Sequence, residues 1–217
     1  MANLREHPFF DLDGEEHKSM AEHHRPIKRV PLSEDQIRSA TVGALRPRSG
    51  PIQLVDYDPQ WPQIFQREAD RVQAALGNYA LLIEHVGSTS VPGLAAKPIV
   101  DILLVVANSA DETAYVPVLE SAGFRLRIRE PEWYQHCVLK GPESDINLHV
   151  FSAGCPEIDR MLSFRDRLRS DESDRRRYEL AKRTLAQRDW KYTQNYADAK
   201  TAVIEEIIAR ARETDTV

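Results

Sequence analysis

The residues best suited to chemistry lie between Glu84 and Leu104, in the run EHVGSTSVPGLAAKPIVDILL. An apolar strand leads into Gly87, Ser88 and Thr89, a short segment broken by Pro92 and Gly93 comes next, and a second apolar strand carries one carboxylate, Asp101. A small turn that exposes backbone N–H groups and hydroxyls suits phosphate oxygens. A carboxylate facing it from the next strand suits a divalent metal held with that phosphate. The same residues also describe a plain strand–turn–strand unit with an aspartate at a strand edge. Asp101 sits between Val100 and Ile102, and a charge in such surroundings needs a partner or a metal. Lys97 lies close enough in sequence to reach a phosphate or to pair with Asp101. Ser88 and Thr89 can bond a phosphate or cap the short segment after them. Glu84 and His85 point to opposite sides of their strand, so one of them faces this site.

Further candidates lie downstream. In INLHVF, Asn147 and His149 share one strand face and Ile146, Leu148 and Val150 share the other. His149 is either a core histidine or a ligand or general base. Trp133, Tyr134 and His136 can stack on a base or pack in a hairpin. Between Asp159 and Arg188 ten bases face six acids, an excess of four on a chain whose net charge is −5. A local basic face on an acidic protein suits a small polyanion such as a nucleotide, and a helix surface laced with ion pairs has the same composition. Arg165 belongs to that stretch. Lys200, four residues after Tyr196 on one helix face, is a phosphate contact or a solvated lysine.

The elements that must position these groups emerge from periodicity. Residues 1–50 read as a largely flexible extension punctuated by prolines, with a short helix near 33–42 capped by Ser33. Four of the seven histidines lie there, His7, His17, His23 and His24, among acids; without ligand spacing they read as a polar tail. The core begins with a short strand over IQLVDY, then a helix over 61–76 with Trp61, Phe65, Ala69, Val72 and Leu76 on one face. Residues 80–86 and 99–106 are near-continuous apolar runs, expected as central strands covered on both faces. A helix over 111–122 ends at Gly123. Alternation of Phe124, Leu126 and Ile128 with arginines predicts a half-solvated strand. A return strand over 133–139, a last strand over 146–151, and helices over 156–169, 174–188 and 195–212 complete an α/β (α+β) domain over residues 51–212, with a mixed sheet under a C-terminal helical cover and a tail at 213–217.

Composition narrows the function classes. With 217 residues, 41% hydrophobic and 29% charged, the chain fits a globular protein. No apolar run approaches a bilayer span and the first residues lack a secretory h-region. Cys137 and Cys155 are too few for a disulfide framework, which points to the cytoplasm. The acidic balance argues against a life on nucleic acid. Oligomeric state is not legible.

The long block HVGSTSVPGLAAKPIVDILL, with VDYDPQWPQIFQRE, NLHVFSAG, SFRDRLRSDESDRRRYELAKRTLA and YADAKTAVIEEII, resembles the signature of the GrpB family over nearly the whole chain beyond the extension. That family is similar to the nucleotidyltransferase superfamily of DNA polymerase β. The resemblance implies a minimal nucleotidyltransferase fold, a nucleoside triphosphate as substrate, a divalent metal (Mg²⁺ or Mn²⁺, or Zn²⁺) and a small unknown acceptor. In that pattern Gly87 and Ser88 match the turn and Asp101 the first acid, while Leu103 stands where a second acid is expected. Asp101 and His149 would hold metal; Lys97 would join them in catalysis; Gly87, Ser88, Thr89, Arg165 and Lys200 would hold the nucleotide. With one acid on the key strand, a two-ion cage of ordinary form is in doubt; Asp101 with His149 suits Zn²⁺, Mn²⁺ or Fe better, or basic residues replace the metal. The alternative is a non-catalytic binding module for a nucleotide or a coenzyme A-related ligand, as GrpB-like appendages of dephospho-coenzyme A kinases suggest.

Overall fold

The structure, a computed structural model, describes residues 30–142 and 145–214. The histidines at 7, 17, 23 and 24 and the last residues of the tail lie outside that range. Five strands form one sheet: β1 (Leu82–Val86), β2 (Val100–Val106), β3 (Arg125–Glu130), β4 (His136–Lys140) and β5 (Ile146–Ser152). Their order is β1-β2-β5-β4-β3. β2 and β5 run parallel, and the other neighbours run antiparallel. The expected mixed sheet is present, with two differences. IQLVDY forms no strand, only a single bridge between Val55 and Ala96, because Pro51 and Pro59 leave it too short to extend a ladder. β1 is an edge strand rather than a central one; its apolar character reflects the helices on either side of it.

The period-2 rule places alternate residues on opposite faces. Val100, Ile102, Leu104 and Val106 of β2, with Ile146, Leu148 and Val150 of β5, pack against α2 (Trp61–Leu76) and α3 (Glu112–Ser121) through Trp61, Val72, Leu76, Tyr115 and Leu119. On the other face, Val86, Leu103, Val105 and Phe151 meet Ile158, Met161 and Leu162 of α4 (Pro156–Ser170). Helix α2 begins where the sequence indicates, with Pro62 in its first turn and Gly77 at its end. The extension contributes α1 (Glu34–Ala40), capped by Ser33 in a reciprocal capping box with Gln36. Ile37 is buried, and Thr41 pairs with Ile128 at the β3 edge. Arg127 donates to the carbonyls of Val42 and Ala44 at 2.8 Å each, so this segment covers an otherwise open strand edge.

The C-terminal cover consists of α4, α5 (Glu172–Ala186), α6 (Thr193–Ala199) and α7 (Thr201–Thr214). The single helix expected over 195–212 is broken at Lys200, the C-cap of α6. These helices hold the segment after the Gly87 turn: Val91 and Leu94 pack with Leu168, Tyr178 and Ile207. Asp174, 4% exposed, ties the cover together. It accepts from Arg167 Nε at 2.8 Å and Arg210 Nε at 3.0 Å, joining α4, α5 and α7. Burial works to raise its pKa, but the hydrogen bonds and charges of Arg210 and Arg167 outweigh that and hold the carboxyl below the usual aspartate range. A depressed carboxylate pKa contributes stability above the unfolded value, about 3.9, that is lost as pH falls through the folded value. Asp174→Ala is therefore expected to cost on the order of 3 kcal/mol at pH 7. Urea unfolding at pH 7 and at acid pH should show the deficit shrinking as the wild-type carboxylate becomes protonated; an equal deficit at both would exclude the ionic origin.

Candidate functional site

The site begins with a contact that only glycine permits. Gly87 has φ 70° and ψ −171°, a region glycine enters without steric cost. A Cβ placed there would lie 3.0 Å from Asp101 Cβ and closer still to Oδ2. Val86 is the ladder partner of Asp101, so the turn leaves the sheet directly above that carboxylate. Ser88–Ser90 form a 3₁₀ turn, and Ser90 Oγ donates to Gly87 O at 2.6 Å. Ser88 Oγ accepts from Lys182 Nζ at 3.2 Å, and the same ammonium donates to Ala95 O. Lys182 is 2% exposed; burial and then the charge of Lys200 push its pKa down to about 7.

Asp101 joins a row of polar side chains on the sheet face. Its Oδ1 accepts from Asn147 Nδ2 at 2.7 Å, and Asn147 Oδ1 accepts from Lys140 Nζ at 2.7 Å. His149 Nε2 lies 3.6 Å from Asp101 Oδ1. His149 Nδ1 is 3.1 Å from His136 Nε2, and His136 Nδ1 is 2.8 Å from Glu130 Oε2. Burial works to raise the Asp101 pKa; the bond and charge of His149, the Asn147 amide and the charge of Lys200 outweigh it, so the carboxyl is held below its ordinary range. Lys97 is electrostatically coupled to Asp101, Lys200, Arg48 and Lys140, and burial first, then Lys200, lowers its pKa to about 8. Lys200, its ammonium 5.0 Å from the Tyr196 ring centre, stands at the break between α6 and α7.

The structure thus brings Gly87, Ser88, Lys97, Asp101, His149 and Lys200 into one neighbourhood. Two other predicted residues face elsewhere. Thr89 is 1% exposed, and its Oγ1 lies 3.1 Å from His85 Nε2. His85 stacks on Phe65 at 4.8 Å and is pushed down to about 4 by burial, so it is neutral at pH 7. Arg165 bonds Glu84 at 2.6 Å, Asp166 at 2.7 Å and His85 O at 3.1 Å, which fixes α4 to β1. A cleft of about 660 Å³ adjoins the turn on this side, walled by Tyr57, Phe65, His85, Ser90 and Arg169. His136 offers no open ring: it is 4% exposed, stacked on Phe151 at 4.5 Å and edge-on to Trp133 at 5.1 Å. Cys137 and Cys155 are buried free thiols, their pKa values raised by burial, which fits packing rather than nucleophilic use.

Sequence reasoning missed Lys182, Lys140 and Glu130 as neighbours of the site, and it offered His136 for base stacking or hairpin packing rather than as the partner of His149. Lys182 was visible only as one base in a charged helix, and its approach to the turn depends on the packing of α5. Glu130 and His136 flank a hairpin turn in which Tyr134 and Gln135 both have positive φ, a geometry their residue types do not announce.

The donor set bears on metal. A two-ion cage needs bridging carboxylates. Leu103, at the second-acid position, is fully buried with Val86, Val105 and Phe151, and Asn147 stands beside Asp101 where a third acid would help. One carboxylate, one imidazole and one amide do not fit that cage. Among the described residues no group of three or more His, Cys, Asp or Glu is placed to hold an ion. Asp101 and His149 would give a single ion two protein donors.

Comparison with known proteins agrees with the fold. The chain is 59% identical over 185 residues to a UPF0157 protein of Halalkalibacterium halodurans, covering 85% of this chain and 95% of that one. It is 33% identical over 164 residues to a dephospho-CoA kinase of Mycolicibacterium paratuberculosis, of which it spans 40%. The crystal structure of conserved protein GrpB from Enterococcus faecalis superposes with a TM-score of 0.66 at 31% identity, covering 76% of this chain and all of that one. The sequence profile described as GrpB protein matches residues 51–210, which is the whole sheet and nearly all of its helical cover, and on that match the chain belongs to the GrpB family.

Proposed function

We propose that the site binds a phosphorylated small molecule, a nucleoside triphosphate first among candidates, and transfers a nucleotidyl or phosphoryl group from it to a small acceptor. The observation that carries this reading is the contact of the Gly87 turn with Asp101, ringed by Lys97, Lys140, Lys182 and Lys200. Several cations and donors gather around one carboxylate, so the neighbourhood has positive charge to spare for an anion. The similarity of GrpB proteins to nucleotidyltransferases supports the same reading. Phosphoryl and nucleotidyl transfer ask the protein mainly for position and charge neutralisation. Here Lys97 and Lys200 would neutralise phosphate oxygens, Ser88 held by Lys182 would orient them, and Asp101 with His149 would receive the acceptor's proton.

Leu103 and Asn147 favour a second reading, a binding module that keeps the pocket without the transfer. A dephospho-CoA kinase that shares this region at 33% identity makes a coenzyme A-related ligand the natural variant of it.

The two readings separate in one assay. ATP, CTP, GTP and UTP, each with Mg²⁺, Mn²⁺ or Zn²⁺ and a panel of small alcohols and amines, should yield pyrophosphate or a phosphorylated acceptor, and Asp101→Asn should abolish it. Binding of a nucleotide or of coenzyme A by calorimetry with no turnover under any condition selects the module; neither binding nor turnover with any of them removes both.

Binding should also move protons. Lys97 near 8 and Lys182 near 7 are partly neutral at pH 8, and an anion raises both, so binding takes protons up. The calorimetric enthalpy at pH 8 should differ between HEPES and Tris, and Lys97→Met should reduce the difference without abolishing it, because Lys182 still takes up a proton. Lys200→Ala should weaken binding by about tenfold, the loss of one charge-assisted contact. Gly87→Ala should cost roughly 2 kcal/mol of stability through strain at positive φ and displacement of Asp101, and should abolish binding measured at a temperature where the variant is folded.

A further inference from the structure

The cleft at the edge strand β1 lies outside the Asp101 neighbourhood, and the transfer reading gives it no role. It lies between α2 on one side and the end of α4 with the start of α5 on the other, and its volume of about 660 Å³ is in the range of small-molecule sites. None of Lys97, Asp101, Lys182 and Lys200 lines it. The Gly87–Ser90 turn stands between the two places: Gly87 touches Asp101, and Ser90 belongs to the cleft wall.

The walls are of two kinds. Tyr57 and Phe65, both half-buried, with Pro62 and Pro92, supply flat apolar surface. His85 continues it, its ring parallel to that of Phe65 within 7°. The His85 residue is 6% exposed; its Nε2 meets Thr89, and its Nδ1 has no hydrogen-bond partner among the described residues. A nearly buried polar ring left half-satisfied at a cleft wall has capacity for a ligand.

The opposite end is cationic. Arg169 Nε donates to Ser90 O at 3.0 Å, and Arg175 Nη1 donates to Leu168 O at 3.2 Å and to Arg169 O at 3.4 Å. Carbonyls orient a guanidinium and leave its charge whole. The nearby carboxylates are already engaged, since Arg165 holds Glu84 at 2.6 Å and Asp166 at 2.7 Å; Arg169 keeps only a 3.6 Å contact with Asp166. Arg175 has no carboxylate within ion-pair distance among the described residues. Three guanidiniums therefore stand against two carboxylates. A solvated helix face is built differently, with arginines on acids one turn away, as Arg176 is on Glu172 and Arg183 on Glu179. The positive field reaches the apolar wall: the charges of Arg169 and Arg165 add to burial in keeping the His85 ring neutral, against the pull of Asp101. Tyr57 is near enough to Arg169 for their charges to couple, so one small molecule can touch both kinds of wall.

We propose that this cleft binds a small molecule with an oxyanion, carboxylate or phosphate, on a flat apolar body. Arg169 and Arg175 take the oxyanion, whose geometry suits the guanidinium fork, and Tyr57, Phe65 and His85 take the body. The proposal goes beyond the transfer reading and needs no nucleotide for its test.

The whole chain, labelled with ¹⁵N, is titrated with naphthoate and naphthyl phosphate, which carry both features, and with naphthol and inorganic phosphate, which carry one each. Both aryl anions should shift the amides of Phe65, His85, Ser90 and Arg169 saturably and bind at least about tenfold tighter than either half-probe, the difference one charge-assisted contact makes; the tighter of the two identifies the oxyanion. Arg169→Ala and Arg175→Ala should each weaken aryl-anion binding by about tenfold, and Lys200→Ala should leave it unchanged. Arg175 does not touch the Ser90 turn, so its variant decides the matter where Arg169→Ala fails to fold. Three results overturn the proposal: no saturable shift at millimolar probe, naphthol binding as tightly as naphthoate, or a loss in Lys200→Ala that the arginine variants do not show, which would put the anions in the lysine pocket. Each leaves the transfer assay undecided, so the two readings fail separately.

Discussion

The site depends on one close approach: the backbone of Gly87 against the carboxylate of Asp101. A side chain at position 87 has no room, and the backbone there stands at positive φ. The antiparallel pairing of Val86 with Asp101 brings the strand ends together, and glycine lets the chain turn at once instead of running on past the sheet. Neighbouring features of the site are placed relative to this contact. The 3₁₀ turn over Ser88–Ser90 starts from it, Val91 and Leu94 anchor the segment beyond that turn, and the row on β5 and β4 extends from the other side of the acid.

Charge is the second constraint. Asp101 faces the ammonium groups of Lys97, Lys140 and Lys200, and two buried lysines, Lys97 and Lys182, are pushed down to about 8 and about 7. Desolvation is the leading cause for both, with like charge from Lys200 next. A protein keeps lysines in that condition at the cost of stability, and an anion relieves it. The C-terminal helices bring this about. They deliver Lys182 and Lys200 to the turn, and their own excess of arginine is neutralised locally, by Asp174 between Arg167 and Arg210 and by Glu84 and Asp166 around Arg165. The basic stretch is therefore divided: most of it holds the cover together, and a small part reaches the pocket.

Leu103 shows how far this chain departs from a two-ion arrangement. Its side chain completes an apolar layer with Val86, Val105 and Phe151, so an acid there would be unsolvated and without a partner. His136 and His149, 3.1 Å apart on the neighbouring strands, lie on the face where further carboxylates would be expected.

Much of the domain is legible in the amino-acid sequence alone. Periodicity identifies α2 to the residue, the strands over Asp101 and His149, and the shared face of Asn147 and His149, because these signals are local and survive translation into three dimensions. The Gly-Ser turn and the acid that faces it are readable for the same reason, as is GrpB membership from long collinear motifs. Edge or centre for β1, the break at Lys200, the engagement of Arg165 with Glu84, the inward turn of Thr89, and the arrival of Lys182, Lys140, His136 and Glu130 were decided only by tertiary structure. Each of those depends on which strand lies beside which and on how helices far along the chain pack. Residue type and spacing set what a segment can do; which partners it meets is set by the burial of apolar surface across the whole domain, and no single stretch of sequence contains that information.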